Sequence, residues 1–144
     1  MRMRILLCLL LSLFAVASWA ESEVASVKKI HGKPMVVRDA KSLEAKLGMS
    51  LYAADRIVAG YGETIGITFT DGTTLAAGPS TELELREYVF DPANSKFAFS
   101  MFLKKGTMVY SSGKLGKLAP AAVKLDTPRS TVGVRGTRLI LNYE

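Results

Sequence analysis

The sequence predicts an all-β fold, and three observations support this fold class. Apolar residues alternate with polar ones over short runs, which is the pattern of strands that bury one face. The twelve glycines and five prolines all follow residue 20 and separate these runs. No stretch has the apolar periodicity of a long amphipathic helix. We therefore expect about ten short strands, and a β-sandwich, an open barrel and a twisted, solenoid-like sheet are all compatible with the pattern.

The first 20 residues have the pattern of a secretory signal peptide. Arg2 and Arg4 precede an apolar run over residues 5–17, and Ser18-Trp19-Ala20 forms a small-x-small cleavage site. The run is short for a membrane span, so we expect cleavage after Ala20 and no stable membrane anchor afterwards. The predicted organisation is a signal peptide over residues 1–20 and a single periplasmic domain over residues 21–144.

Cysteine content and charge narrow the possible functions of that domain. Cys8 is the only cysteine, so residues 21–144 can form neither a disulfide nor a thiolate metal site. Without Arg2 and Arg4, the 19 basic residues fall to 17 against 13 acidic ones, a net charge of +4. Residues 103–144 hold 8 of these basic residues and 2 acidic ones. This basic third favours an anionic partner or a solvated surface, and export makes nucleic acid an unsuitable partner.

Four short elements are predicted before residue 60. Strands are expected over residues 24–30, 35–38 and 55–58, because β-branched and apolar residues concentrate there between turn residues. Residues 40–47 predict a short helical stretch instead, which Gly48 ends.

The clearest predicted hairpin lies between residues 64 and 77. Its first strand places three apolar side chains on one face, namely Ile65, Ile67 and Phe69. Asp71-Gly72 is a favoured two-residue turn, because both residues tolerate a positive φ angle. Residues 73–77 form the returning strand. This turn chemistry explains Asp71 without a catalytic role.

Longer strands are predicted after residue 80. The run over residues 80–90 turns its leucines inward and its glutamates outward. Residues 96–104 alternate cleanly and place four side chains on one face, namely Phe97, Phe99, Met101 and Leu103. Further strands are expected over residues 108–111 and 122–126, with a glycine- and lysine-rich loop over residues 112–120 between them.

Residues 127–137, here called the signature stretch, carry most of the specific information in the sequence. Thr127-Pro128 predicts a turn, because proline fixes its own φ and pushes the preceding residue toward an extended conformation. The residues that follow alternate, so we expect a long strand over residues 131–142.

A β-bulge near Gly136 would align the apolar side chains of that strand. Without the extra residue, the two valines are out of phase with the two leucines that follow. With it, four side chains share one face, namely Val132, Val134, Leu139 and Leu141. Arg135 and Arg138 would then lie on the opposite face, with Gly133 leaving room beside Arg135.

This part of the chain resembles the sequence pattern found at the end of FecR domains. The matching residues are Asp126-Thr127-Pro128 and Thr131-Val132-Gly133-Val134-Arg135-Gly136-Thr137. Residues 48–58 and 68–75 resemble earlier blocks of the same family, so the resemblance covers nearly all of the chain after residue 24. Among the three architectures left open above, it implies the twisted, solenoid-like β arrangement.

The resemblance also implies a class of function. In full-length family members, this domain is the periplasmic part of an anti-sigma regulator and senses the signalling domain of a TonB-dependent transporter. Those proteins add a membrane span and a cytoplasmic sigma-binding region, and we expect neither in this chain. We therefore predict a non-enzymatic periplasmic module that binds an envelope protein or signalling partner, without carrying over the iron-signalling role.

Patterns of catalytic and metal-binding residues do not emerge from the sequence. His31, the only histidine, falls in a predicted turn without ligand-spaced neighbours, and no serine lies in a G-x-S-x-G motif. Glu82, Glu84 and Glu87 are crowded enough for paired carboxylates or calcium, but two of them alternate with leucines and predict a solvated strand face. We predict no catalytic residue, no cofactor and no metal. A hydrolase, the weaker alternative, would need Glu82 or Glu84 buried in a cleft with a raised pKa.

Arg135 is the residue of the signature stretch with two possible roles. It could bridge loop carbonyls and Asp126, holding the Thr127-Pro128 turn, with Thr131 and Thr137 adding hydroxyl hydrogen bonds. It could instead grip a carboxylate or sulfate of a partner with its planar guanidinium. We favour the structural role for Arg135 and for the rest of the signature set, namely Thr127, Pro128, Thr131, Gly133, Gly136 and Thr137.

Two further binding hypotheses remain. The domain could attach to the cell wall or to another anionic polysaccharide through its basic third, with Tyr61, Tyr88 or Tyr110 stacking on sugar rings. It could also join a partner's sheet through an exposed strand edge. An unpaired C-terminal strand would support that second hypothesis.

Overall fold

The computed structural model describes residues 21–144, so the predicted signal peptide and its cleavage site lie outside the described residues. Twelve strands are present: β1 (Ala25–His31), β2 (Met35–Arg38), β3 (Lys41–Glu44), β4 (Ser50–Leu51), β5 (Arg56–Ala59), β6 (Thr64–Phe69), β7 (Thr74–Ala77), β8 (Thr81–Asp91), β9 (Lys96–Ser111), β10 (Val123–Asp126), β11 (Thr131–Gly133) and β12 (Arg138–Tyr143). One α-helix, α1 (Lys114–Leu118), and two 3-10 turns, Pro92–Asn94 and Pro120–Ala122, complete the described chain.

The strands form one curled, half-open sheet. Strand β9 is shared by two layers. The layer that contains its first half has the strand order β3-β2-β5-β8-β9-β10-β11. The layer that contains its second half has the order β12-β9-β7-β6-β1-β4. All strand pairs are antiparallel except β9–β10. The all-β prediction is confirmed, with twelve strands against the ten or so expected.

Strand β9 replaces the two strands predicted over residues 96–104 and 108–111. It continues for 16 residues through Gly106, whose φ of +96° allows the chain to bend between the layers. Thr81 fixes this bend, because its hydroxyl accepts a hydrogen bond from Thr107 N at 3.0 Å. A Cβ on Gly106 would lie 2.5 Å from Thr81 Cα, so the bend needs glycine.

The core lies between the two layers, and the predicted alternation fills it. The inward faces of β6, β8 and β9 carry its central side chains, all at most 2% exposed: Ile65, Ile67, Phe69, Leu83, Leu85, Phe99, Met101 and Leu103. Phe97, predicted to join them, is only partly buried near the start of β9. Because each buried apolar side chain stabilises the fold by about 1.5–3 kcal/mol, alternation of this kind is the main source of stability in a domain without disulfides.

Residues 40–47 were predicted to be helical, and this is wrong. Arg38 pairs with Lys41 across a tight hairpin between β2 and β3. Its two turn residues, Asp39 and Ala40, have φ angles of 51° and 61°. Positive φ at both central positions is the type I′ geometry that matches the twist of two antiparallel strands. Alanine rarely adopts this conformation, so the turn was not evident from the residue types.

The prediction of one long strand over residues 131–142 is also wrong, because two separate strands are present there. Strand β11 ends at Gly133 and pairs with β10, whereas β12 begins at Arg138 and pairs with β9. The chain therefore crosses between strands where a bulge was expected, with Gly136 at a φ of +132°. The four apolar side chains of the bulge hypothesis nevertheless all pack against the core, Val134 being the most buried of them.

Within residues 21–144, the single α-helix is too short to span a bilayer.

Candidate interaction site

The signature stretch begins with a tight turn that Thr127 holds together. Thr127 N donates to Ser130 O at 2.8 Å, and the Thr127 hydroxyl accepts from Ser130 N at 3.1 Å. The same hydroxyl lies 2.9 Å from the Ser130 hydroxyl. Thr127 is 9% exposed, so these bonds satisfy polar groups that the fold largely removes from water. The predicted Thr127-Pro128 turn is present, and Thr127 has a structural part in it.

Thr131 joins this turn to the edge of the sheet. Its hydroxyl donates to Asp126 Oδ1 at 2.6 Å, across the β10–β11 pair. The other carboxylate oxygen of Asp126 lies 3.8 Å from Nη1 of Arg86, whose guanidinium stacks on Phe102 at 4.0 Å. The predicted hydroxyl bond of Thr131 is therefore present, while Asp126 is paired with Arg86.

Arg135 does not form the predicted bridge to Asp126. Among the residues that the structure describes, its exposed side chain forms neither a hydrogen bond nor an ion pair. The predicted reason for Gly133 is also wrong, because a Cβ built there meets no atom within 4 Å. Thr137 is exposed and contributes its main-chain carbonyl, which accepts from Ser112 N at 2.8 Å. Gly136 supplies a backbone angle that favours glycine.

A groove lies over Gly133. It has a volume of about 340 Å³ and is lined by Pro120, Ala121, Val123, Lys124, Thr131, Gly133, Val134 and Arg135. Lys124 is the register partner of Gly133, and Asp126 is the partner of Thr131, so these four residues share one face of the β10–β11 pair. The groove thus combines an apolar wall with two exposed cationic side chains.

The sheet has a free strand edge at this groove, on β11, and another on β12, away from the groove. Within residues 21–144, β11 pairs only with β10, and β12 pairs only with β9. Their outer main-chain N–H and C=O groups face away from the sheet. Ile140 on β12 is 63% exposed. A free edge can pair with another extended chain, and β11 offers three residues for this and β12 six.

Asp71 was predicted to sit in a two-residue turn, and the observed loop is longer. Phe69 N donates to Thr73 O, and Gly72 N donates to Phe69 O, which leaves residues 70–72 as a three-residue loop. Only Gly72 in that loop has a positive φ, +86°. Asp71 is 2% exposed and is thus an internal side chain.

The buried carboxylate of Asp71 joins three parts of the chain. Oδ1 accepts from the Tyr88 hydroxyl at 2.9 Å and from Thr73 N at 3.2 Å. Oδ2 accepts from the Thr73 hydroxyl at 2.7 Å and from Leu115 N at 2.9 Å. Asp71 therefore ties the β6–β7 loop to β8 and to helix α1. We refer to Asp71, Thr73, Tyr88 and Leu115 as the Asp71 cluster.

Helix α1 replaces the loop predicted over residues 112–120 and packs tightly against this cluster. Leu115 is fully buried, and Gly113 N donates to the Thr73 hydroxyl at 3.1 Å. A Cβ on Gly113 would collide with Thr73 N, and one on Gly116 would collide with the Ser112 hydroxyl. The close backbone of Thr73 explains Gly113, and the close side chains of Ser112 and Tyr110 explain Gly116.

The three tyrosines proposed as sugar-stacking platforms have different environments. Tyr61 is 96% exposed and available for stacking, whereas Tyr110 is 1% exposed and is not. Burial raises the pKa of Tyr110. Tyr88 is half-buried, and burial, with hydrogen bonding to Asp71 as a smaller cause, raises its pKa to about 12. Tyr88 and Tyr110 are thus structural side chains.

A second buried carboxylate belongs to Asp55, which was not among the predicted site residues. Arg38 Nε donates to Asp55 Oδ1 at 2.8 Å, and Arg38 Nη2 donates to Oδ2 at 2.7 Å. Tyr52 N donates to Oδ2 at 2.9 Å. The hydrogen bond and charge of Asp55 raise the pKa of Arg38 despite its partial burial. This bidentate pair connects β2 to the start of β5.

The crowded glutamates lie mainly on a solvated face, as the alternation predicted. Glu82 lies 3.4 Å from Arg56 Nη1 and 3.5 Å from Lys104 Nζ, and Glu84 and Glu87 are more exposed. His31 is exposed at the end of β1 rather than in the turn after it. Among the described residues, no group of three or more histidine, cysteine, aspartate or glutamate side chains is arranged to hold a metal ion.

Comparison with known proteins identifies a family. The FecR protein family matches residues 55–144. The matched region runs from Asp55 through the Asp71 cluster to the signature stretch, whereas β1 to β4 precede it. No curated protein and no solved structure matches the chain. A match over well more than half of the chain shows that this protein belongs to the FecR family.

Proposed function

We propose that this FecR domain is a non-enzymatic interaction module that binds another protein of the bacterial envelope. The observation that carries the proposal is the environment of Arg135. Its side chain is exposed at a groove beside the open edge of β11, while Thr127 and Thr131 in the same stretch hold the fold. A guanidinium without an internal partner is well suited to bind a carboxylate of another molecule.

The non-enzymatic part of the proposal is supported by how the chain uses its buried acids. Asp55 is paired with Arg38, and Asp71 accepts four hydrogen bonds within its cluster. Glu82, the least exposed of the three crowded glutamates, lies between Arg56 and Lys104. Each of these carboxylates has a structural partner, whereas a general acid or base faces its substrate.

A periplasmic location is part of the same proposal and rests on residues 1–20. The charged start, the apolar run and the Ser18-Trp19-Ala20 site support export and cleavage after Ala20. Cell fractionation combined with N-terminal sequencing tests this. We expect a periplasmic protein that begins at Glu21. A cytoplasmic protein that retains residues 1–20 would overturn the location.

Crosslinking in the cells that produce the protein tests the interaction. The tagged wild type, Arg135→Glu and a matched charge reversal on another exposed basic residue, Lys41→Glu, are compared after folding is verified. We expect a discrete protein that crosslinks to the wild type and to Lys41→Glu and is lost with Arg135→Glu. Equal recovery with all three variants would remove Arg135 from the binding surface.

Binding to an anionic polysaccharide is the second candidate, and the exposure of Tyr61 favours it. A tyrosine that is 96% exposed can stack on a sugar ring, and the basic C-terminal third can attract an anionic polymer. Sedimentation with purified cell walls tests this candidate. Salt-sensitive retention that is lost in Tyr61→Ala, without a crosslinked protein, would favour the polysaccharide over the protein partner.

A further inference from the structure

The face of the β10–β11 pair that carries Gly133 has an open space above the strand. Thr131 and Gly133 alternate along β11, and Lys124 lies beside Gly133 on β10. Because Gly133 has no side chain and nothing lies within 4 Å of where one would be, the space above it is open. Arg135 lines the same groove beyond the end of β11.

The two cationic side chains at this space favour an acidic ligand side chain. Lys124 and Arg135 are exposed and line the groove, and neither is paired with a carboxylate among the described residues. The acid on the same face, Asp126, is bonded to Thr131 and faces Arg86. A carboxylate over Gly133 would therefore meet two cations without displacing an internal ion pair.

The free edge of β11 beside the groove favours a polypeptide as the molecule that carries this acidic side chain. Within residues 21–144, the outer edge of β11 has no paired strand. Its N–H and C=O groups can form ladder hydrogen bonds with another main chain, which a polysaccharide cannot supply. The apolar part of the groove, from Pro120, Val123 and Val134, suits the aliphatic part of a side chain.

We propose that an extended acidic segment of a partner protein pairs with the free edge of β11 and places an aspartate or glutamate over Gly133, between Lys124 and Arg135. This inference rests on the proposed function and names its partner chemistry. A glutamate is long enough to cross Gly133 toward Lys124, while the main chain of the segment remains at the strand edge.

Fluorescence anisotropy with three labelled peptides tests the charge requirement. The probe is an eight-residue peptide that alternates threonine with glutamate, and its matched controls replace every glutamate with glutamine or with lysine. We expect the glutamate peptide to bind the purified protein at least about tenfold more tightly than the glutamine peptide, and more weakly as salt is raised. Equal binding of the glutamate and glutamine peptides would overturn the proposal.

Variants then locate the binding. Gly133→Leu fills the open space, and Lys124→Ala and Arg135→Ala each remove one exposed cation. We expect each to weaken binding of the glutamate peptide several-fold, and Lys41→Ala to leave it unchanged. If Gly133→Leu fails to fold, the two alanine variants decide the outcome. Unchanged affinity in both would overturn the assignment.

Two further outcomes separate this proposal from the proposed function. A polyuronate that binds through Lys124 and Arg135 when the glutamate peptide does not would assign the groove to a glycan and overturn the acidic-segment proposal. An envelope protein that crosslinks equally to the wild type and to Gly133→Leu would also overturn it, while the role as an interaction module would stand.

Discussion

Asp71 Oδ2 accepts a hydrogen bond from Leu115 N at 2.9 Å, across 44 residues of chain. This contact joins the β6–β7 loop to helix α1, and Tyr88 joins the same carboxylate from β8. The Asp-Gly pair that looked like a simple hairpin turn is therefore a buried connection between three segments. Its position inside the region matched by the FecR family gives that part of the family pattern a structural explanation.

Replacing Asp71 should destabilise the domain strongly. Asp71→Ala leaves four buried or part-buried donors without their acceptor, namely Thr73 N, the Thr73 hydroxyl, the Tyr88 hydroxyl and Leu115 N. We expect a loss of about 3 kcal/mol or more in the free energy of unfolding measured in urea. Glu87→Ala, on an exposed side chain, is the control and should change it by less than about 0.5 kcal/mol. Similar values for both would contradict the structural role of Asp71.

Tyr88 should make stability sensitive to alkaline pH. Its pKa is raised to about 12 in the folded protein, against about 10 in the unfolded chain. Between these values the folded state holds one more proton than the unfolded state, so stability falls as pH rises from about 10 to 12, by at most about 1.4 kcal/mol per pH unit. Partial exposure of the ring reduces the slope further.

Urea titrations at several pH values between 9 and 12 measure this slope. Tyr88→Phe removes the titrating hydroxyl, so its stability should fall less steeply than that of the wild type over the same window. The remaining slope includes Tyr110, whose pKa is also raised by burial. Parallel curves for the wild type and Tyr88→Phe would show that the Tyr88 hydroxyl is not the titrating group.

The two arginine–carboxylate pairs on neighbouring strands should differ in their contribution to stability. Arg38→Ala leaves Asp55 buried without its bidentate partner, and we expect a loss of about 3 kcal/mol. Arg56→Ala removes a more exposed pair with Glu82, for which we expect less than about 1 kcal/mol. Thermal and urea unfolding of both variants provide the comparison. A larger loss in Arg56→Ala would reverse our ranking of the two pairs.

Replacing Gly113 and replacing Gly133 with a larger residue should have very different effects on the stability of the protein. Gly113→Ala places a Cβ against Thr73 N, where neither backbone can move freely, and should destabilise the protein by several kcal/mol. Gly133→Val places its side chain in open space and should change the free energy of unfolding by less than about 1 kcal/mol. The melting temperatures of the two variants test this. A large loss in Gly133→Val would contradict the open space above Gly133.

The parts of the fold that follow from local pattern were predictable. Alternation placed Ile65 and Ile67 in the core, and it also predicted the buried leucines of β8. The bend of β9 at Gly106 was not predictable, because its cause is Thr81, a residue 25 positions earlier. The turn at Asp39-Ala40 was missed because the β2–β3 hairpin imposes a backbone conformation that alanine disfavours.

The candidate site was only partly predictable for a similar reason. The family pattern drew attention to Arg135, and the Thr127-Pro128 turn is present. The partner expected for Arg135 was wrong, because Asp126 is paired with Arg86 of β8 instead. Which of two arginines meets an acid depends on strand order, and local spacing does not reveal strand order. The Asp71 cluster was hidden for the same reason, since Tyr88 and Leu115 lie 17 and 44 residues from Asp71.

Site-specific photocrosslinking in the envelope tests the central claim most directly. A photoreactive residue replaces Gly133, and a matched control replaces Lys41 on the exposed strand β3. We predict a discrete protein adduct from position 133 and none from position 41, with the crosslinked peptide of the partner carrying aspartate or glutamate. A folded protein that gives no adduct from position 133, or the same adducts from both positions, would contradict the claim that the signature stretch is an interaction surface.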